Sequence, residues 1–176
     1  MIRFAYFLMV LFVVGFVHSA HATSVAFEDT PRLTQLSDHI VRGTVQSVQS
    51  RWHGGIIVTD ITLSVAHTLK GSHQASLSFT QPGGTLGTTA LNVSGAPTFK
   101  AGQEVLVCLE YKAGLWVEPA LGASHWRIKR HTSGVHAIRS THHLLAEDRS
   151  HLAQHPQSLK ELEAAIHSAT QSKAMP

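Results

Sequence analysis

The run Ile57-Val58-Thr59-Asp60-Ile61-Thr62-Leu63-Ser64-Val65-Ala66-His67-Thr68-Leu69 decides the fold class. In an extended chain, side chains alternate between two faces. Ile57, Ile61, Leu63, Val65 and Leu69 then fall on one face, and Asp60, Thr62, Ser64, Thr68 and Lys70 on the other. The run closes at Lys70-Gly71 and predicts a long strand in a twisted antiparallel sheet with one wet face.

The neighbouring segments carry the same signal. Val41, Gly43 and Val45 share a side of a preceding strand, but Val48 is out of phase with them. One extra residue at Gln46 or Ser47, a β-bulge, restores the phase and bends the strand. Trp52-His53-Gly54-Gly55 reads as a turn. Ala75, Leu77 and Phe79 alternate with Ser76, Ser78 and Thr80 in a third strand. A glycine-rich loop at Pro82-Gly83-Gly84 and Gly87 leads to a short strand around Ala90 to Val93.

Gly95-Ala96-Pro97-Thr98-Phe99 reads as a second loop, with Phe99 plugging one end of the core. Val105-Leu106-Val107-Cys108-Leu109 is apolar on both faces, which predicts a central strand covered on both sides. Leu115 to Val117 answers it across a turn at Lys112-Ala113-Gly114. Trp126 and Ile128 alternate with Arg127 and Lys129, and Val135 to Ile138 adds a further strand.

Two helices frame these strands. Thr30-Pro31 reads as a hydroxyl cap followed by proline, opening a short helix through Leu33 and Leu36 that ends near Asp38. Ser158-Leu159-Lys160-Glu161 is a capping box, and Leu159, Leu162 and Ile166 recur at helical spacing after it. The fold expected is therefore mainly β: a small antiparallel barrel with a short N-terminal helix and a C-terminal amphipathic helix. Strands that must bend to serve two sheets favour closure over a sandwich.

The first 22 residues have a different character. Arg3, the apolar run Phe4 to Val17 and Ala20-His21-Ala22 form the three parts of a secretory signal peptide, with Thr23 as the new N-terminus. The run is short for a permanent anchor. The organisation expected is a signal peptide over 1–22 and a barrel domain over 23–139. A His-rich mobile connection follows over 140–156, then a helix and tail over 157–176. The expected location is the periplasm or the extracellular space. Past the signal, 13 basic and 11 acidic side chains remain, which gives no electrostatic case for nucleic acid. Cys108 is the only cysteine, so no internal disulfide braces the domain.

Leu36 to Val45, Ile57 to Gly71, Pro82-Gly83-Gly84, Val93 to Phe99 and Gly102 to Val107 together resemble an uncharacterised family of exported bacterial domains. The helix Leu159 to Ile166 suits that pattern. More distantly, the strands are similar to the netrin-like oligonucleotide/oligosaccharide-binding barrel of tissue inhibitors of metalloproteinases. That likeness implies a five-stranded OB-like barrel and raises protease inhibition as an expectation. Those inhibitors chelate zinc through an N-terminal cysteine. Thr23 stands at the corresponding end here, so none of that chemistry passes to a residue of this chain.

No HExxH, GxSxG or GxxxxGK[ST] pattern is present, and Gly83, Gly84 and Gly87 read as turn glycines. Cys108 lies in the most apolar strand and reads as a core residue rather than a nucleophile. Asp38, Asp60, Glu104, Glu110 and Glu118 are too scattered for an acid/base couple and read mostly as solvated surface charges. Trp52, Trp116 and Trp126 are alternatives between a stacking platform and packing. Trp116 is placed facing outward, Trp126 in the core and Trp52 against its turn. The reading reached is an exported non-enzymatic binding module. Its loops 81–88 and 94–102 would meet a protein partner through Gly83, Gly84, Gly95, Pro97, Phe99 and Trp116. An envelope or secreted protease is one such partner, and no cofactor is expected. The rival is a protein that binds zinc, copper or nickel, or depends on one of them, through His142, His143, His151 and His155.

Overall fold

The computed structural model describes residues 29–139 and 157–172. Helix α1 (Thr30–Leu36) is capped by Asp29, whose carboxylate accepts from the Arg32 N–H at 2.8 Å. The cap is therefore one residue earlier than the hydroxyl at Thr30. At its other end, the Lys70 ammonium donates to the carbonyls of Thr34 and Ser37, which places a cation where the helix dipole is negative.

Strands β1 (His39–His53) and β2 (Ile56–Lys70) form a long hairpin, and β3 (Ser76–Pro82) adds to β2. A small hairpin, β4 (Gly84–Leu86) and β5 (Thr89–Leu91), replaces most of the expected glycine-rich loop. Strand β6 (Glu104–Lys112) pairs with the first half of β1. Its far edge takes β7 (Leu115–Val117) and β8 (His125–His131), and β9 (Gly134–Arg139) and the short β10 (Gln157–Ser158) follow. Every pairing is antiparallel. Among the described residues, the sheet runs β10-β9-β8-β6-β1-β2-β3 and is not closed into a barrel, although β7 comes to lie beside β3. Helix α2 (Leu159–Ser172) opens on the capping box as expected. Glu161 N–H donates to Ser158 Oγ at 3.2 Å, and Ser158 N–H to the Glu161 carboxylate at 3.3 Å. Among the described residues, no helix is long and apolar enough to cross a membrane.

The β1–β2 ladder carries the bulge that the phase of Val48 requires. Val45 opposes Leu63 and Ser47 opposes Thr62, which leaves Gln46 unpaired. Two further irregularities leave Ala66 and Leu69 without partners on β2. They overturn the expected facing of Leu69. A skipped residue reverses the alternation, so Leu69 packs with the helices while Ile61, Leu63 and Val65 pack on the other side. Gly43 lies where the strands bend together. A Cβ there would meet the Ser64 carbonyl oxygen at 2.3 Å.

Among the described residues, two apolar cores result. The first joins Leu33 of α1, Leu159, Leu162 and Ile166 of α2, and the sheet residues Ile40, Leu106, Cys108, Trp126, Ile128 and Ala137. The second fills the concave side with Val41, Val45, Ile61, Leu63, Leu77, Phe79, Phe99, Val105, Val107 and Leu109. Strand β6 thus contributes alternate residues to both, as its two apolar faces predict.

Candidate functional site

The two expected recognition loops are joined at their bases. Gly83 N–H donates to the Ile57 carbonyl at 2.9 Å, and the Thr59 hydroxyl donates to the Gly83 carbonyl at 2.7 Å. Gly83 has a φ of +93° and Gly84 one of +135°, both in the range that favours glycine. A Cβ on Gly84 would overlap Thr59 Oγ1 and Ser50 Oγ. These glycines seat the β4–β5 hairpin against β1 and β2.

The second loop is tied to the first by Gln81, whose amide donates to the Pro97 carbonyl at 2.9 Å. The Gly95 carbonyl accepts from Gly122 N–H at 3.0 Å. Gly95 and Pro97 are buried. Phe99 is also buried, edge-on to Phe79 at 5.4 Å between ring centres, and so plugs the second core as the sequence suggests. Gly83, Gly95, Pro97 and Phe99 therefore shape the loops from within. Exposed positions are Thr85, Gly87 and Thr88 on the first loop, and Ser94, Thr98, Lys100, Ala101 and Gly102 on the second.

The tryptophans do not form a platform. Trp116 is half-buried on the second core, 4.6 Å from the His39 ring and 5.0 Å from Tyr111. It does not stand fully outward. Trp126 is in the first core, with the Arg139 guanidinium 5.1 Å over its ring. Trp52 belongs to β1 and is 56% exposed, so it does not pack against a turn.

The sequence reading of Glu118 as a solvated charge is corrected. Glu118 and His125 bracket a one-turn 3-10 helix (Leu121–Ser124), and both side chains are buried. His125 Nδ1 lies 3.4 Å from Glu118 Oε1. That separation is long for a hydrogen bond, and among the described residues neither atom has a hydrogen-bond partner. Phe99 covers the imidazole at 5.1 Å between ring centres. Burial pushes the Glu118 carboxyl above its ordinary range, and the neighbouring His125 offsets only part of this. With no exposed surface on its side chain, Glu118 does not reach a solute in this conformation.

One signal could have found the pair. Glu118 is the only charged residue between Ala113 and Ser124. Alternation instead puts His125 on the face of the exposed Arg127, and the burial comes from Phe99 in a distant loop. Cys108 is buried in the first core, and that burial pushes its thiol up to about 12. Asp60 is held below the ordinary carboxylate range. Partial burial opposes this, but hydrogen bonds from Arg51 and Thr80 outweigh it.

His142, His143, His151 and His155 lie outside the described residues. Among the described residues, no group of three or more His, Cys, Asp or Glu side chains is placed to hold a metal ion. Comparison with protein-family models, with curated proteins and with solved structures finds no match to this chain.

Proposed function

We propose that this chain is an exported, non-enzymatic binding module that presents the loops 81–88 and 94–102 to a protein partner. The observation that carries this reading is the pair of loops fixed at their bases. The hydrogen bond from Gln81 to Pro97 joins them, and Gly83 and Gly84 lock the first one onto β1 and β2. Loops ordered before binding lose less conformational freedom on association. Their exposed threonines and short polar side chains suit recognition of a surface more than enclosure of a small molecule.

The finer architecture proposed is an OB-like, netrin-like barrel. What supports it is the β1-β2-β3 meander, the return of β6 onto β1, and β7 lying beside β3. Export rests on Arg3, the apolar run to Val17 and Ala20-His21-Ala22. A protease of the envelope or medium is the partner that the distant likeness to metalloproteinase inhibitors raises, by fold analogy.

The test is capture from periplasmic extract by the purified chain lacking residues 1–22, with Thr85→Lys and Thr88→Lys as the control variant. A protein retained by the parent and lost from the variant is the expected result. The same set of proteins retained by both would remove these loops from the binding surface. Dose-dependent inhibition of a retained protease would establish that class of partner.

A further inference from the structure

We infer that the exposed face of the β8–β9 hairpin binds an extended acidic segment of a protein partner, with carboxylates at alternate residues. Arg127, Lys129 and His131 succeed one another along one face of β8. Their cross-strand partners on the same face are Ile138, His136 and Gly134. The opposite face belongs to the first core through Trp126, Ile128 and Ala137. Arg127, Lys129 and His131 are exposed, and Ile138 is 41% exposed beside Arg127.

The row is also electrostatically open. Arg130, on the opposite face, is paired with Glu104, which in turn holds Arg42. Among the described residues, Arg127 and Lys129 make no ion pair and no side-chain hydrogen bond. The His131 and His136 rings stand 6.0 Å apart and close the end of the row. Alternate residues of a strand are spaced by about 7 Å, and an extended peptide repeats its own side chains at the same interval. A strand-like segment with Asp or Glu at every second position can therefore set successive carboxylates against Arg127 and Lys129. Ile138 gives an apolar residue of that segment a place to lie. This surface is remote in sequence from the loops at 81–88 and 94–102, and the inference stands without that proposal.

The experiment titrates the chain lacking residues 1–22 with two peptides of equal composition. One alternates Glu with Thr; the other groups its Glu residues together. The expected result is binding of the alternating peptide at low salt, weakened at least tenfold in Arg127→Gln/Lys129→Gln. Unfolding curves for the two proteins should coincide, because both side chains are exposed. In Arg127→Glu/Lys129→Glu, preference should pass to a peptide alternating Lys with Thr.

Equal binding of the two Glu peptides, or binding unchanged in the Gln variant, would overturn the proposal. So would stronger retention by vesicles containing phosphatidylglycerol, or self-association that the Gln variant abolishes. Binding gained only with Glu147→Gln/Asp148→Asn, at two acidic positions outside the described residues, would assign the face to the chain's own segment instead.

Discussion

His125 and Glu118 are buried polar residues with large single-residue effects expected of them. Removing one member of a buried pair leaves the other without compensation, at a cost of about 3–5 kcal/mol. His125→Ala should lose that much in urea unfolding at pH 8, and a loss within the range of surface substitutions would show that the pair is not coupled. Glu118→Gln tests the proton instead. An acid raised by folding binds more protons in the folded chain than in the unfolded one, so stability falls as pH rises from the ordinary carboxylate range through the raised value. Glutamine does not titrate. The variant should therefore gain on the parent between pH 4 and pH 8, and a gap that closes as pH rises would contradict the assigned direction. At Cys108 the thiol is both buried and pushed up to about 12, so a disulfide reagent at pH 8 should label it no faster than the chain unfolds.

At the scale of the element, α2 is the clearest case of a local signal that fixes a tertiary contact. Ser158 and Glu161 close the cap, and Leu159, Leu162, Ile166 and Ala169 are its buried residues. Ser158→Ala should cost about 1 kcal/mol, measured by chemical denaturation. The cap, the Gln46 bulge and the two-faced β6 were all legible because each depends on a few adjacent residues. Leu69 was not. Its side is decided by two ladder irregularities that register with β1 creates. Glu118 and His125 were missed for a related reason: Phe99 from another loop covers the His125 ring, and no periodicity in 115–128 encodes that contact. The loops at 81–88 and 94–102 fall between these cases. Their glycines were visible, but their ties to Ser50, Thr59 and Pro97 join residues far apart in sequence.

For the whole molecule, the decisive feature is that neither core can be removed without damaging the other. Val105, Val107 and Leu109 of β6 face the concave core, and Leu106 and Cys108 face the helices. Strand β1 divides in the same way, with Ile40 on one side and Val41 and Val45 on the other. Arg42 adds a polar tie, since its guanidinium reaches Glu104 on β6 at 2.7 Å and Glu163 on α2 at 3.0 Å. With a single cysteine, no internal disulfide can substitute for this packing. Losing the helix-side core would strip one face of β6 and β1 and weaken the ladder that supports the other. Unfolding should then be one cooperative transition. Phe79→Ala in the concave core should cost about 3–5 kcal/mol, and Ile166→Ala in the helix-side core about 2–5 kcal/mol. Each should lower the same Tm, by about 2–4 °C per kcal/mol for a chain of this size. Calorimetry alongside tryptophan fluorescence checks this, because Trp126 reports on the helix-side core and Trp116 on the concave one. If Ile166→Ala instead released an early transition that left the Phe79 side folded, the two cores would be separable and the shared strands would not couple them.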